Sequence, residues 1–164
     1  MTIDRYDPLG LSGSDPPSAP PAPRIRIAVP TTGDQELEAI AQVLESGILT
    51  NGPATKRFED AMASRHGARH GVAFANGTVA LAATYLACGI GPGDEVIVPS
   101  FTFVSTATSV LHVGATPVFA DIRPDTLNID PEDVARRITP RTRAVVPVYY
   151  GGQAADMDVL CEIA

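Results

Sequence analysis

Cysteine is scarce in this chain, and positive charge is outnumbered. The two cysteines, Cys88 and Cys161, both fall within apolar, helix-like stretches. There is thus no disulfide framework to staple a small secreted fold and no CxxC pair to hold a metal. A reducing, cytoplasmic setting is the expectation that follows. Twelve Lys and Arg against nineteen Asp and Glu leave a formal charge of −7 and a pI near 4.8. Nucleic acid and anionic membrane, whose phosphates are repelled by such a balance, are not the expected partners. No apolar run is long enough to span a bilayer, and the N-terminus lacks the basic-then-apolar order of a signal peptide. G-x-S-x-G, H-E-x-x-H and Walker A sequences are missing too, which removes the commonest hydrolase, zincin and NTPase readings. His66 and His70 stand four residues apart, but glycines surround them and no acidic ligand is near. They read as surface residues, and no metal site is expected.

What the chain does have is 164 residues that are 45% hydrophobic, enough for one ordinary core. Six of its fifteen prolines lie in residues 1–24. That stretch has almost no periodic apolar pattern, so it reads as a disordered or polyproline-like tail ahead of a domain beginning near Ile25. Leu37, Ile40, Ala41 and Leu44 then share one face of a helix spanning Asp34 to Ser46 and ended by Gly47. Asn51-Gly52-Pro53 marks a turn, after which Phe58, Ala61, Met62 and Arg65 recur at helical spacing up to Gly67. From Gly71 the order is regular: a strand at 71–75, a helix at 78–88, a turn at GIGPGD and a strand at 95–99. A helix at 104–112 and a strand at 116–120 follow. Asp130-Pro131-Glu132-Asp133 starts another helix, with an N-cap, a proline at the first helical position and two acids in the first turn. It runs to Ile138; AVVPVYY at 144–150 is the next strand, and a last helix begins near Ala155. Strands alternating with helices imply parallel pairing in a layered α/β fold.

Two places in this order invite chemistry. At Asn76-Gly77-Thr78 a short apolar run turns into a helix that is apolar almost all round. The residues leave two readings open: Asn76 or Thr78 caps the helix, or the free N–H groups of its first turn grip a phosphate. At PSFTFVSTATSV, Ser100 and Thr102 are candidate N-caps. Phe101 and Phe103 sit at the carboxyl end of a strand, where open α/β sheets bind ligands. If both places face one crevice, a phosphate cradle lies beside a surface for stacking a planar ring. GIGPGD itself follows a helix and precedes a strand, the reverse of a dinucleotide-binding loop, and is a turn.

These segments resemble the amino-terminal part of the DegT/DnrJ/EryC1/StrS family of pyridoxal-phosphate aminotransferases, most of which act on nucleotide-linked keto-sugars. The likeness is carried by SGILTNGPATKRFEDAMASRHGARHGVAFANGT, GIGPGDEVIVPSFTFVSTATSVLHVGATPVFADI and NIDPEDVARRITPRTRAVVPVYYGGQAADMD, in one order over residues 25–164. It implies an incomplete three-layer α/β/α large domain of a fold-type I, aspartate aminotransferase-like transferase. It further implies pyridoxal 5'-phosphate as cofactor, a homodimer with shared sites, and amino transfer, commonly from glutamate, to a keto-sugar nucleotide. By position, Gly77, Thr78 and Val79 match the family's phosphate-holding residues, and Phe103 matches the ring that stacks on the cofactor's pyridine. Leu49, Thr50, Asn51, Gly52 and Pro53 match a substrate loop near the active site. Val148-Tyr149-Tyr150 departs from the family, many members of which have His after the valine.

The resemblance also implies groups that these residues do not supply. Transamination needs a lysine amine to bond to the cofactor and move a proton, and an acid to keep the pyridine nitrogen protonated. The single lysine is Lys56, far upstream of the family's Schiff-base lysine, and it reads as a solvated surface residue. The expectation is an amino-terminal portion that ends before the catalytic lysine and is inactive alone. Two alternatives stand beside it. One is a dehydratase of the same family, which has histidine at the lysine position; the other is a non-catalytic remnant or interaction module.

Overall fold

The structure is a computed structural model that describes residues 29–164. The tail expected at 1–24 lies outside the described residues. The chain divides after Leu49 into two compact units. In the first, helix α1 spans Asp34–Ser46 as its apolar spacing predicts. The Gly33 N–H donates to the Glu36 carboxylate at 2.7 Å, which stabilises the helix start. Gly47 ends the helix with φ of 68°, and its N–H donates to the Leu44 carbonyl. That left-handed geometry favours glycine.

The second unit, Thr50–Ala164, opens with α2 (Pro53–Arg65) and α3 (Gly77–Ala87). Then β1 (Glu95–Pro99), α4 (Ser105–His112), β2 (Thr116–Ala120), α5 (Pro131–Arg137), β3 (Thr142–Val145) and α6 (Met157–Ile163) follow in turn. Both partners of β1 run parallel to it, in the order β2-β1-β3. Strand β1 is buried along its whole length, as the near-continuous apolar EVIVP suits a central parallel strand. Its side chains alternate between two interiors. Val96 and Val98 join Tyr85, Ile90, Val110, Val113 and Ala115 on the face covered by α3 and α4. Ile97 joins Ala120, Ile129, Val134, Ala155 and Leu160 on the face covered by α5 and α6. Each fully buried valine or isoleucine contributes about 1.5–3 kcal/mol, and two helical layers on one sheet make the α/β/α sandwich expected. In the first interior, burial pushes the Tyr85 phenol above its ordinary value while the nearby Ser109 hydroxyl acts the other way. Ser109 donates its own hydrogen to the Ser105 carbonyl at 2.6 Å. Tyr85 Oη is the buried side-chain atom left without a partner among the described residues.

Several expectations are corrected. Residues 71–75 form no strand. A strand is defined by its ladder, and this segment has no neighbouring strand among the described residues; Val72 and Phe74 are exposed. Strand β3 starts at Thr142 and stops at Val145, earlier than predicted, because pairing with β1 covers Glu95 to Ile97 and skips Arg143 at a bulge. After β3 the chain turns through Tyr150–Gly152 as a short 3-10 segment. Cys161 lies within α6 and Cys88 at the C-cap of α3, in keeping with the helical stretches expected, and both are exposed and free.

Candidate functional site

The Asn76 notch is built as a helix cap. Asn76 is extended, with φ of −165°, and its Oδ1 accepts the Val79 N–H at 3.1 Å. The first intrahelical donor is Ala80, whose N–H reaches the Asn76 carbonyl at 3.2 Å. Of the three amides ahead of it, Val79 is engaged by the cap. Those of Gly77 and Thr78 have no partner among the described residues. Capping and phosphate binding are therefore not rivals here. A cap uses one amide and leaves two, together with the Thr78 hydroxyl, at the electropositive end of an eleven-residue helix. Nothing lies within 4 Å of where a Cβ on Gly77 would be, and Gly77 is exposed.

The second piece leads into α4, which packs against α3. Its start differs from the prediction: Val104 holds the N-cap position without a side-chain bond. Thr106 N–H donates to the Phe103 carbonyl at 3.0 Å and Ala107 N–H to that of Val104 at 3.1 Å, a tight first turn that replaces a side-chain cap. The Thr102 hydroxyl bonds that of Thr106 at 2.9 Å, and the Ser100 N–H donates to the Ala120 carbonyl, tying the ends of β1 and β2 together. The two phenylalanines have different fates. Phe101 lies against Tyr150, with ring centroids 4.6 Å apart and planes tilted by 38°. Phe103 is 74% exposed, its ring free for a planar partner.

Tyr150 is held from below by a residue the sequence did not single out. Asn128 is buried; its Oδ1 accepts the Tyr150 N–H at 3.1 Å, and its Nδ2 donates to the carbonyls of Gln153 and Ala154. The loop after β3 that carries Tyr149 and Tyr150 is thereby fixed at the strand ends. Asp133, read from sequence as a first-turn acid, reaches back instead to the Asp121 N–H at 2.7 Å, just past β2. That bond first, then the guanidinium groups of Arg137 and Arg136, hold its carboxyl down at about 2. Glu95 is likewise held below the usual carboxylate range, by the Thr139 hydroxyl and then by Arg141. Arg136 and Arg137 stand at the i+3 and i+4 positions of one helix face, whereas no sequence spacing links Asp133 to Asp121 or Glu95 to Thr139 and Arg141.

The remaining candidates lie elsewhere in the structure. In the loop Leu49 to Pro53, Asn51 is left-handed with φ of 46°, Gly52 is the N-cap of α2 and Pro53 its first residue. Lys56 pairs with Asp60 at 2.8 Å, with both side chains more than 60% exposed, and this pairing raises its pKa. It is a surface residue, as expected. His66 and His70 are exposed and border an apolar groove of about 340 Å³ between α2 and residues 68–72. No helix among the described residues is long and apolar enough to cross a membrane.

The fold recurs in known proteins. A profile of the DegT/DnrJ/EryC1/StrS aminotransferase family matches residues 30–164. The chain belongs to that family. It is 50% identical over 137 residues to the spore coat polysaccharide biosynthesis protein SpsC of Bacillus subtilis, covering 84% of this chain and 35% of that one. Among solved structures it resembles 3-amino-5-hydroxybenzoic acid synthase, with a TM-score of 0.78, 42% identity, and 83% of this chain and 36% of the other covered. It also resembles the sugar aminotransferase Spr1654 of Streptococcus pneumoniae in its PMP form, with a TM-score of 0.80, 34% identity, and 85% and 35% covered. The chain thus spans about a third of the length of the relatives it matches. The family's cofactor is pyridoxal 5'-phosphate, and its fold is the fold-type I transferase.

Proposed function

We propose that this chain provides the phosphate-holding and ring-holding part of a pyridoxal-phosphate aminotransferase of amino-sugar biosynthesis, acting on a nucleotide-linked keto-sugar with glutamate as donor. The observation that carries the reading is the helix α3 start: Asn76 takes one amide, while those of Gly77 and Thr78 stay free. The residues fit the cofactor. Gly77 and Thr78 amides and the Thr78 hydroxyl would bind its phosphate, with the Val79 amide joining only if Asn76 releases it. The exposed Phe103 ring would lie against its pyridine, and the loop Leu49 to Pro53 would meet substrate. When bound, the cofactor supplies an electron sink that lets an amino group move between donor and sugar. The protein's part here is to hold the phosphate, orient the ring and shield one of its faces.

The proton-moving amine is a different matter. Lys56 is exposed and paired with Asp60, so on this reading these 164 residues do not transaminate by themselves. A dimeric assembly fits the family reading. The test is a titration of the isotope-labelled chain with pyridoxal 5'-phosphate, following the amide signals of Gly77 and Thr78 and the absorbance of the cofactor. The expected result is saturable shifts at those two amides with no turnover of glutamate. Shifts spread over the surface and sparing Gly77 and Thr78, or turnover by the chain alone, would overturn the reading.

A further inference from the structure

Residues 71–75 deliver the chain to the cradle, yet no ladder holds them. Their attachment comes from one residue of α2. Glu59, half-buried, accepts the Ala73 N–H on Oε1 at 2.9 Å, across fourteen positions of sequence. The backbone carbonyl of the same residue lies so close to Gly71 that a Cβ there would meet it at 2.4 Å. Any side chain at 71 forces the segment and α2 apart. The Glu59 carboxylate therefore bonds the segment at Ala73 while its main chain packs closely against Gly71, and no other hydrogen bond anchors 71–75 among the described residues. Asn76, whose cap sets the direction of the Gly77 and Thr78 amides, stands three residues beyond Ala73. At its other end α2 starts at Pro53, capped by Gly52, and the Lys56 N–H donates to the Gly52 carbonyl at 3.2 Å.

We infer that Glu59 is a positioning residue for the phosphate cradle: it clamps the 71–75 segment to α2 and so fixes where the Gly77 and Thr78 amides point. This rests on the cofactor reading above. The same clamp makes the end of the substrate loop and the cradle parts of one rigid body, because a single helix carries Gly52-Pro53 at one end and Glu59 two turns along.

The experiment compares the native chain with Glu59→Ala, Glu59→Gln and Gly71→Ala, measuring amide hydrogen exchange and titrating each with inorganic phosphate and then pyridoxal 5'-phosphate. Losing a charged acceptor is expected to speed exchange about tenfold or more at Ala73 and, through the segment, at Val79 and Ala80, and to weaken phosphate binding at Gly77 and Thr78 by a similar factor. Glu59→Gln keeps an acceptor oxygen and should stay within about threefold of native, while Gly71→Ala should reproduce Glu59→Ala by a separate route. Should Glu59→Ala fail to fold, Glu59→Asp, one methylene too short for the bond, takes its place. Fast exchange at Ala73 with Val79 and Ala80 unchanged would overturn the inference, since Glu59 would then hold its neighbour and not the cradle. A native chain that binds neither ligand defeats the cofactor reading instead, and the exchange comparison still decides the role of Glu59.

Discussion

Acid should unfold this protein partly through one carboxylate. Asp133 is 5% exposed and accepts from Asp121 N–H at 2.7 Å and Arg137 Nε at 2.5 Å, with Arg136 on its other oxygen. Its pKa falls from 3.8 to about 2 on folding. At 1.36 kcal/mol per unit the drop corresponds to about 2 kcal/mol of stability. Because the folded value is the lower one, that stability is fully present above the unfolded value near 4. It is lost as pH falls from there through about 2. Asp133→Asn removes the charge while keeping the shape. Urea unfolding of both proteins at several pH values between 6 and 2 would show a gap of about 2 kcal/mol near neutrality, closing toward pH 2. Glu95 and Asp125 are also depressed, but they are common to both proteins and cancel in the difference. A gap that stays constant over the range, or no gap at pH 6, would refute the assignment of this stability to the Asp133 charge.

Other outcomes follow from the same geometry. Asn128→Ala strands one N–H and two carbonyls and should cost about 3 kcal/mol, with faster amide exchange at Tyr150 as the local sign; an unchanged exchange rate there would contradict the clamp. Phe103→Ala should weaken pyridoxal 5'-phosphate binding about fivefold through the lost ring surface while leaving the unfolding midpoint unmoved, and Phe101→Ala, whose ring is already paired with Tyr150, should do the reverse. Lys56→Met should change neither stability nor cofactor binding, because an exposed i,i+4 pair contributes little; a cofactor absorbance change in that variant would show that Lys56 reaches the ring.

Local signals were readable and distant ones were not. Asp130-Pro131 announced α5 because an N-cap and a first-position proline act within one turn. Strands β1 and β2 showed as short apolar runs between turns, with bounds that the structure keeps. The 71–75 segment has the same apolar look, but a strand depends on a neighbour that its own residues do not specify. Glu59, Asn128 and Asp133 act on residues 12 to 26 positions away. Each looks on paper like an ordinary polar residue of a helix or turn. The candidate site was legible to the extent that it is helix termini and aromatics at strand ends; the supports beneath it were invisible, because long-range hydrogen bonds leave no period in a sequence.

Strand β1 is a partition one residue thick. Val96 and Val98 face one interior and Ile97 the other, so the cavities made by trimming them open into separate rooms with no shared occupant. Losses from Val98→Ala and Ile129→Val should add, while Val98→Ala and Val110→Ala, in one room, should couple. Helices α3 and α4, which carry the cradle and follow Phe103, line only the first room. Trimming a side chain of the second interior should therefore leave the start of α3 where it is, provided that the wall keeps its place.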